Sequence, residues 1–147
     1  MLVDERENLY VIDFSETGPR NVVSDFARIE PILNFEFPRL ETNEDLRPLL
    51  EFEAGLTSVT RLSDPPPLVY RGDDPLVPRA HAVITVLRRS ADIVTLFEQD
   101  MIPYWLAMLE WTYAVICYRQ VSLLQKRYAA CSAALICRAI KELEQVD

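Results

Sequence analysis

At 147 residues, 50% hydrophobic and 26% charged, the chain is long enough for one hydrophobic core and too apolar for a disordered segment. The formal charge of −8 gathers at the front, where residues 1–75 hold 7 Lys/Arg against 16 Asp/Glu and residues 76–147 hold 8 against 7. An acidic front half repels phosphate backbones and argues against unaided nucleic-acid binding.

No basic flank or long apolar run precedes Asp4, so no secretory signal is expected and the expected setting is cytoplasmic. Met1-Leu2-Val3 and Leu9-Tyr10-Val11-Ile12 are short β-prone runs joined by the charged turn Asp4 to Asn8, which reads as a hairpin. Ser15 to Arg20 contains Gly18-Pro19 and breaks regular structure. A helix is expected from about Asn21, with Val22, Phe26, Ile29 and Leu33 on one face and a kink or early end at Pro31. Thr42, with Asp45 three residues on, marks a second helix start, Leu46, Leu49, Leu50 and Phe52 its apolar side, and Gly55 its stop.

Residues 56–74, with Pro65 to Pro67 and Arg71-Gly72-Asp73-Asp74, form a long irregular connection. Three helical segments follow. The first has Asp74 as cap and Pro75 at its first position, runs to about Phe97, and carries a stripe from Ala80 through Val83, Ile84, Leu87 and Ala91 to Val94. The second spans about Ile102 to Tyr118. The third spans about Val121 to Glu144, with Leu124, Tyr128, Cys131, Leu135 and Ala139 on one side.

The stretch Met101 to Tyr118 is apolar enough to raise the question of a membrane. It is short of the roughly 20 residues a spanning helix needs, and it contains Pro103 and Glu110, so a buried core helix is expected. Cys117, Cys131 and Cys137 are an odd number without a Cys-x-x-Cys pair, and with one histidine in the chain they read as reduced, buried thiols rather than a zinc site. His81 reads as a packed or surface histidine, Arg88-Arg89 and Lys126-Arg127 as solvated helix faces. Tyr104, Trp105, Trp111 and Tyr113 point to different sides of one helix, as core or interface residues do.

Chemistry is concentrated near the N-terminus. Asp13 ends the apolar run Leu9 to Ile12, where a buried carboxylate needs a cation, backbone donors or a metal. Two readings stand: a magnesium ligand, or a cap on the following loop. Val11-Ile12-Asp13-Phe14, followed by Asp25-Phe26-Ala27-Arg28, resembles the metal-binding strand end and succeeding helix of the aminoglycoside-phosphotransferase and choline-kinase-like families. With Thr17-Gly18 and Asp25 to Glu30, it also resembles phosphotransferase-like modules labelled ternary-complex-associated domains in bacterial conflict systems.

The resemblance covers residues 2–30. It implies that Asp13 binds the Mg2+ that bridges ATP phosphates, that Asp25 anchors the catalytic-loop backbone, and that Glu16 and Arg20 lie in a substrate-facing loop. The families' His-Gly-Asp loop, second metal-binding Asn, nucleotide lysine and glycine-rich loop have no counterpart here, so no catalytic residue is assigned and no cofactor is expected to bind the isolated chain.

The expected fold is therefore α+β, mainly α: a single domain over 1–147 with an N-terminal β-hairpin followed by an antiparallel helical bundle, as in a kinase-like C-lobe fragment. Its parts are 1–34, 35–74 and 75–147. Two functions are expected: the C-lobe of an ATP-dependent small-molecule phosphotransferase, inactive alone, or a non-enzymatic helical protein-interaction module. The expected partners are the missing N-terminal lobe, another protein or a second copy through self-association, with neither nucleic acid nor membrane among them.

Overall fold

The computed structural model describes residues 22–95 and 100–145, together with the backbone of 2–3 and 9–10. Five helices make the body: α1 (Ser24–Phe35), α2 (Asn43–Leu56), α3 (Leu76–Val94), α4 (Ile102–Cys117) and α5 (Leu123–Glu144). The fold class is all-α, which corrects the α+β, kinase-like lobe expected from the sequence. Ahead of the helices the described backbone offers only Leu2–Val3 opposite Leu9–Tyr10. Two residues a side fall short of the roughly three to ten of a structural strand, and no described helix packs on them, so the described residues form no β layer.

Helix starts follow the side-chain chemistry. The Asp45 carboxylate accepts hydrogen bonds from the Thr42 N–H (2.7 Å), the Thr42 hydroxyl (3.0 Å) and the Glu41 N–H (3.0 Å), opening α2. These donors, the Thr42 backbone first, hold the Asp45 carboxyl below its usual range. Asp74 opens α3 by accepting from the Leu76 N–H (3.0 Å), and its other oxygen takes the Arg39 N–H (2.7 Å). At α5 the Ser122 hydroxyl and the Gln125 side chain satisfy each other's backbone N–H groups at 3.1 Å.

The two expected breaks fare differently. The early end expected at Pro31 does not occur: Pro31 is buried inside α1, which runs on to Phe35. α2 ends at Leu56, one residue past the expected stop at Gly55. A Cβ there would stand 2.7 Å from the Pro67 carbonyl oxygen, so the glycine lets the 56–74 connection lie against the helix. That connection is tied down further by His81, whose Nε2 is 2.8 Å from the Pro66 carbonyl, and by Tyr70 against Phe52.

α4 and α5, joined by the short connection 118–122, pack along each other as a helical hairpin, and α1 lies against both and against α3. The core has two apolar clusters. One gathers Val23 just before α1, Ala27 of α1, Met101 beside α4, Trp105 and Met108 of α4, and Ile136 of α5. The other gathers Phe35, Leu49, Phe52, Leu56, Ile84 and Tyr128.

Buried polar residues lie between the two clusters in chain position. Glu30 falls between Ala27 and Phe35 on α1, Arg88 between Ile84 and Ala91 on α3, and Ser132 between Ala129 and Ile136 on α5. A polar layer thus crosses the bundle. Arg88 was expected on a solvated face and is instead buried; Arg89 is exposed. The three cysteines, expected to be buried, are exposed. The buried side of α5 is Tyr128, Ala129, Ser132, Ile136 and Ala139, which leaves Cys131 and Cys137 outward. Among the described residues no helix is long and apolar enough to cross a membrane.

Candidate functional site

Asp13, Glu16 and Arg20 lie outside the described residues. Asp25 is exposed in the first turn of α1. Among the described residues no group of three or more His, Cys, Asp or Glu side chains is placed to hold a metal ion. The polar side chains that the fold does bring together are in the interior, and none of them was singled out for chemistry in the sequence.

Glu30 and Arg88 form a buried two-point ion pair, Nε to Oε2 at 3.0 Å and Nη2 to Oε1 at 2.5 Å. The Tyr104 hydroxyl donates to Glu30 Oε2 at 2.7 Å, and Arg88 Nη1 donates to the Leu56 carbonyl at 2.7 Å. The guanidinium also lies 4.7 Å from the centroid of the Trp105 ring. Burial by itself disfavours the charged Arg88, but the charge and hydrogen bonds of Glu30 hold its pKa above the usual value.

Among the described residues no cation forms an ion pair with Glu53. It accepts from the Tyr128 hydroxyl and from the Ser132 hydroxyl, each at 3.0 Å. Burial first, and the negative charge of Glu30 second, push its carboxyl up to about 7, against the two hydroxyl donors and Arg88. Burial, with Glu30 near Tyr104 and Glu53 near Tyr128, raises both phenols well above their usual range. Glu30, Glu53 and Arg88 are 0%, 0% and 1% exposed, so this network orders the bundle and cannot reach a substrate from outside.

On the surface two cavities stand out. The first, about 340 Å³, lies between the starts of α2 and α3 and is lined by Glu41, Glu44, Asp45, Asp73 and Asp74 against Arg39. Five carboxylates against one guanidinium make it hostile to phosphate. The second, about 180 Å³, is a groove where α1 meets the end of α4 and the start of α5.

That groove is built from helix periodicity. Arg28, Ile32 and Phe35 come from successive turns of α1, and Trp111 and Val115 from successive turns of α4, with Tyr118 at its end. Arg28 stacks over Trp111 at 4.3 Å from the ring centroid. Gln125 Nε2 donates to the Phe35 carbonyl at 3.2 Å, so the capping residue of α5 also braces the end of α1. Ile32 and Tyr118 remain 44% and 46% exposed, which leaves apolar surface at the rim.

The aromatic side chains of α4, expected as core or interface, divide between the two roles. Tyr104 and Trp105 are fully buried, Trp111 lines the groove, and Tyr113 is exposed. The signal that could have found the groove is the pairing of i, i+4 apolar residues near the ends of two helices; the sequence does not say that those ends meet.

No curated protein and no solved structure matches the chain. The family model described as ternary complex associated domain 9 matches residues 1–110, from the N-terminal segment through α3 and into α4. The match spans most of the chain and agrees with the ternary-complex-associated resemblance carried by Asp25 to Glu30, and on it the chain belongs to the ternary complex associated domain 9 family.

Proposed function

We propose that the chain is a non-enzymatic helical interaction module whose groove between α1, α4 and α5 receives a large apolar side chain from a basic segment of a protein partner. The observation that carries this reading is the groove itself. Its volume of about 180 Å³ is below the roughly 300–1,000 Å³ of small-molecule sites and suits one inserted side chain. Its walls are aromatic and aliphatic, with an arginine–tryptophan stack, the composition of residues that dominate binding energy at interfaces.

Charge chooses the partner's flanks. Glu36 is the groove's carboxylate, and Arg28, its guanidinium, lies over Trp111. The whole chain carries −8, a field that steers basic segments toward it. The family description, which names a ternary complex, accords with a part played in assembly.

A second reading keeps the phosphotransferase resemblance and is favoured by one observation, the order Ile12-Asp13-Phe14 then Asp25-Phe26-Ala27-Arg28. In it Asp13 would hold the Mg2+ of Mg-ATP, supplying charge neutralisation at the phosphates, and the chain would serve within a larger enzyme.

The two readings separate in one experiment on the full chain. A peptide array varying one large apolar residue between Lys/Arg flanks is probed with wild-type chain and with Ile32→Lys and Glu36→Lys. The interaction reading expects apolar-anchored basic peptides to bind and both variants to weaken them by about tenfold or more. Absence of such peptides would contradict the interaction reading, and Mg-ATP binding gained only when the chain is joined to the rest of the enzyme, and abolished by Asp13→Asn, would favour the phosphotransferase reading.

A further inference from the structure

The helix farthest from this groove in composition is α3. Its buried side, with Ile84 and Arg88, packs against α1 and meets Phe52 and Leu56 of α2 and Trp105 of α4. Its opposite side is apolar and open: Val83, Val86, Ile93 and Val94 are 45%, 63%, 62% and 51% exposed. Val83, Val86, Ser90 and Ile93 follow alternating three- and four-residue steps, the spacing of a coiled-coil seam. None of these residues lines the groove used by the proposed function.

The charges beside this seam have one sign. Arg79 and Arg89 are exposed along it, separated by about 15 Å at the rise of an α-helix. Among the described residues neither has an ion-pair partner. The one carboxylate of α3, Asp92, is half-buried. In a chain of net charge −8 an exposed helix face bearing arginine and no exposed carboxylate stands out, and it is complementary to an acidic surface.

From these two features we infer that the outer face of α3 is a second docking surface, which pairs its Val83–Ile93 seam with an acidic amphipathic helix of a protein partner. Leucine or isoleucine of that helix fills the seam, and its glutamates or aspartates lie against Arg79 and Arg89. A second copy of this chain is a poorer occupant, because it would bring the same two arginines to the interface. With a basic segment in the groove and an acidic helix on α3, the module joins two proteins of opposite charge on separate faces.

The test uses the full chain and two synthetic helical peptides of about three heptads, with leucine in the seam and either glutamate or lysine at the flanking positions. Binding is read by isothermal titration calorimetry. The glutamate peptide should bind and the lysine peptide should not. Val86→Glu and Arg89→Glu should each weaken the glutamate peptide by about tenfold or more, and Arg89→Glu should improve the lysine peptide. Ile32→Lys, in the groove, should leave both results unchanged, so this surface can fail while the groove stands, or the reverse.

Val86 and Arg89 are solvent-exposed, so both variants should fold, and circular dichroism melts check this. Equal binding of the two peptides, or none by either, would overturn the inference. So would a concentration-dependent dimer in sedimentation that Val86→Glu abolishes, which would make a second copy the occupant. Binding to phosphatidylserine vesicles in place of the glutamate peptide would overturn it in favour of a lipid surface.

Discussion

Arg88 and Glu30, 58 positions apart in the chain, meet as a fully buried two-point ion pair at the centre of the bundle. Through the bond of Arg88 to Leu56 and the hydroxyl of Tyr104 the pair ties together α1, α3, α4 and the end of α2. A buried pair is a poor source of net stability, since desolvation offsets much of the attraction, but it is costly to break. Its position between two apolar clusters suits a role in fixing how the helices align, because a slipped helix would leave a bare charge in the core.

Removing one partner should therefore hurt more than removing both. Arg88→Met should cost about 3–5 kcal/mol, because it strands the Glu30 carboxylate. Adding Glu30→Leu to it should restore part of that loss. Urea unfolding of the two single variants and the double variant measures the coupling. A single-variant cost below about 0.5 kcal/mol, the range of surface substitutions, would show that the pair is not buried as described.

Glu53 makes stability depend on pH with a definite sign. Its carboxyl is raised from 4.5 to about 7 in the folded chain, so between those values the folded state holds a proton that the unfolded state has released. The contribution is full below about 4.5 and is lost as pH rises through 7, amounting to about 3 kcal/mol at the scale of 1.36 kcal/mol per pH unit. Unfolding free energy should fall from pH 5 to pH 8 by that route, and Glu53→Gln should flatten the fall. The same slope in Glu53→Gln would assign the dependence to another group.

Gly55→Ala sets two effects against each other. Alanine gains about 1 kcal/mol of helix propensity, but its Cβ would stand 2.7 Å from the backbone oxygen of Pro67. Backbone cannot yield as a flexible side chain does, so a net loss of about 1–3 kcal/mol is expected. Thermal melts decide the sign, and a stabilised variant would mean that the 56–74 connection does not lie against α2.

The three thiols should be open to reagent in the folded state. Cys117, Cys131 and Cys137 are all exposed, so a colourimetric disulfide reagent should titrate three thiols without denaturant. A native count below three, rising to three in urea, would return the missing cysteine to the core.

The long helices were legible because their signals are local. The Thr42–Asp45 cap, the Asp74 turn and the apolar runs in the last half of the chain place α2 to α5 close to where they form. The burial of Arg88 was not legible. Its i−4 neighbour Ile84 and i+3 neighbour Ala91 place it on the buried stripe, but only a carboxylate on another helix makes that position tolerable for a charge. The face of α5 was misread for a related reason. Its buried side keeps the expected Tyr128 and Ala139 but adds Ala129 and Ser132, small or polar residues that a count of hydrophobic side chains passes over in favour of Cys131 and Leu135. The groove joins the ends of three helices, and such meetings are tertiary facts. The N-terminal hairpin was read from runs of three and four residues, too short to carry a sheet, and the class that rested on it gave way to five helices.

The α1–α4–α5 groove is proposed to hold a basic, apolar-anchored segment of a protein partner. The most direct test of this is photo-crosslinking in the native cell from a benzophenone amino acid at Tyr118 on the groove rim, with Arg61 as an exposed site outside the groove. A discrete adduct should form from position 118, mapped by mass spectrometry to a peptide with one large apolar residue between Lys/Arg flanks, absent from position 61 and lost when Ile32→Lys is added. No adduct from position 118, or an adduct that persists with Ile32→Lys, would contradict it.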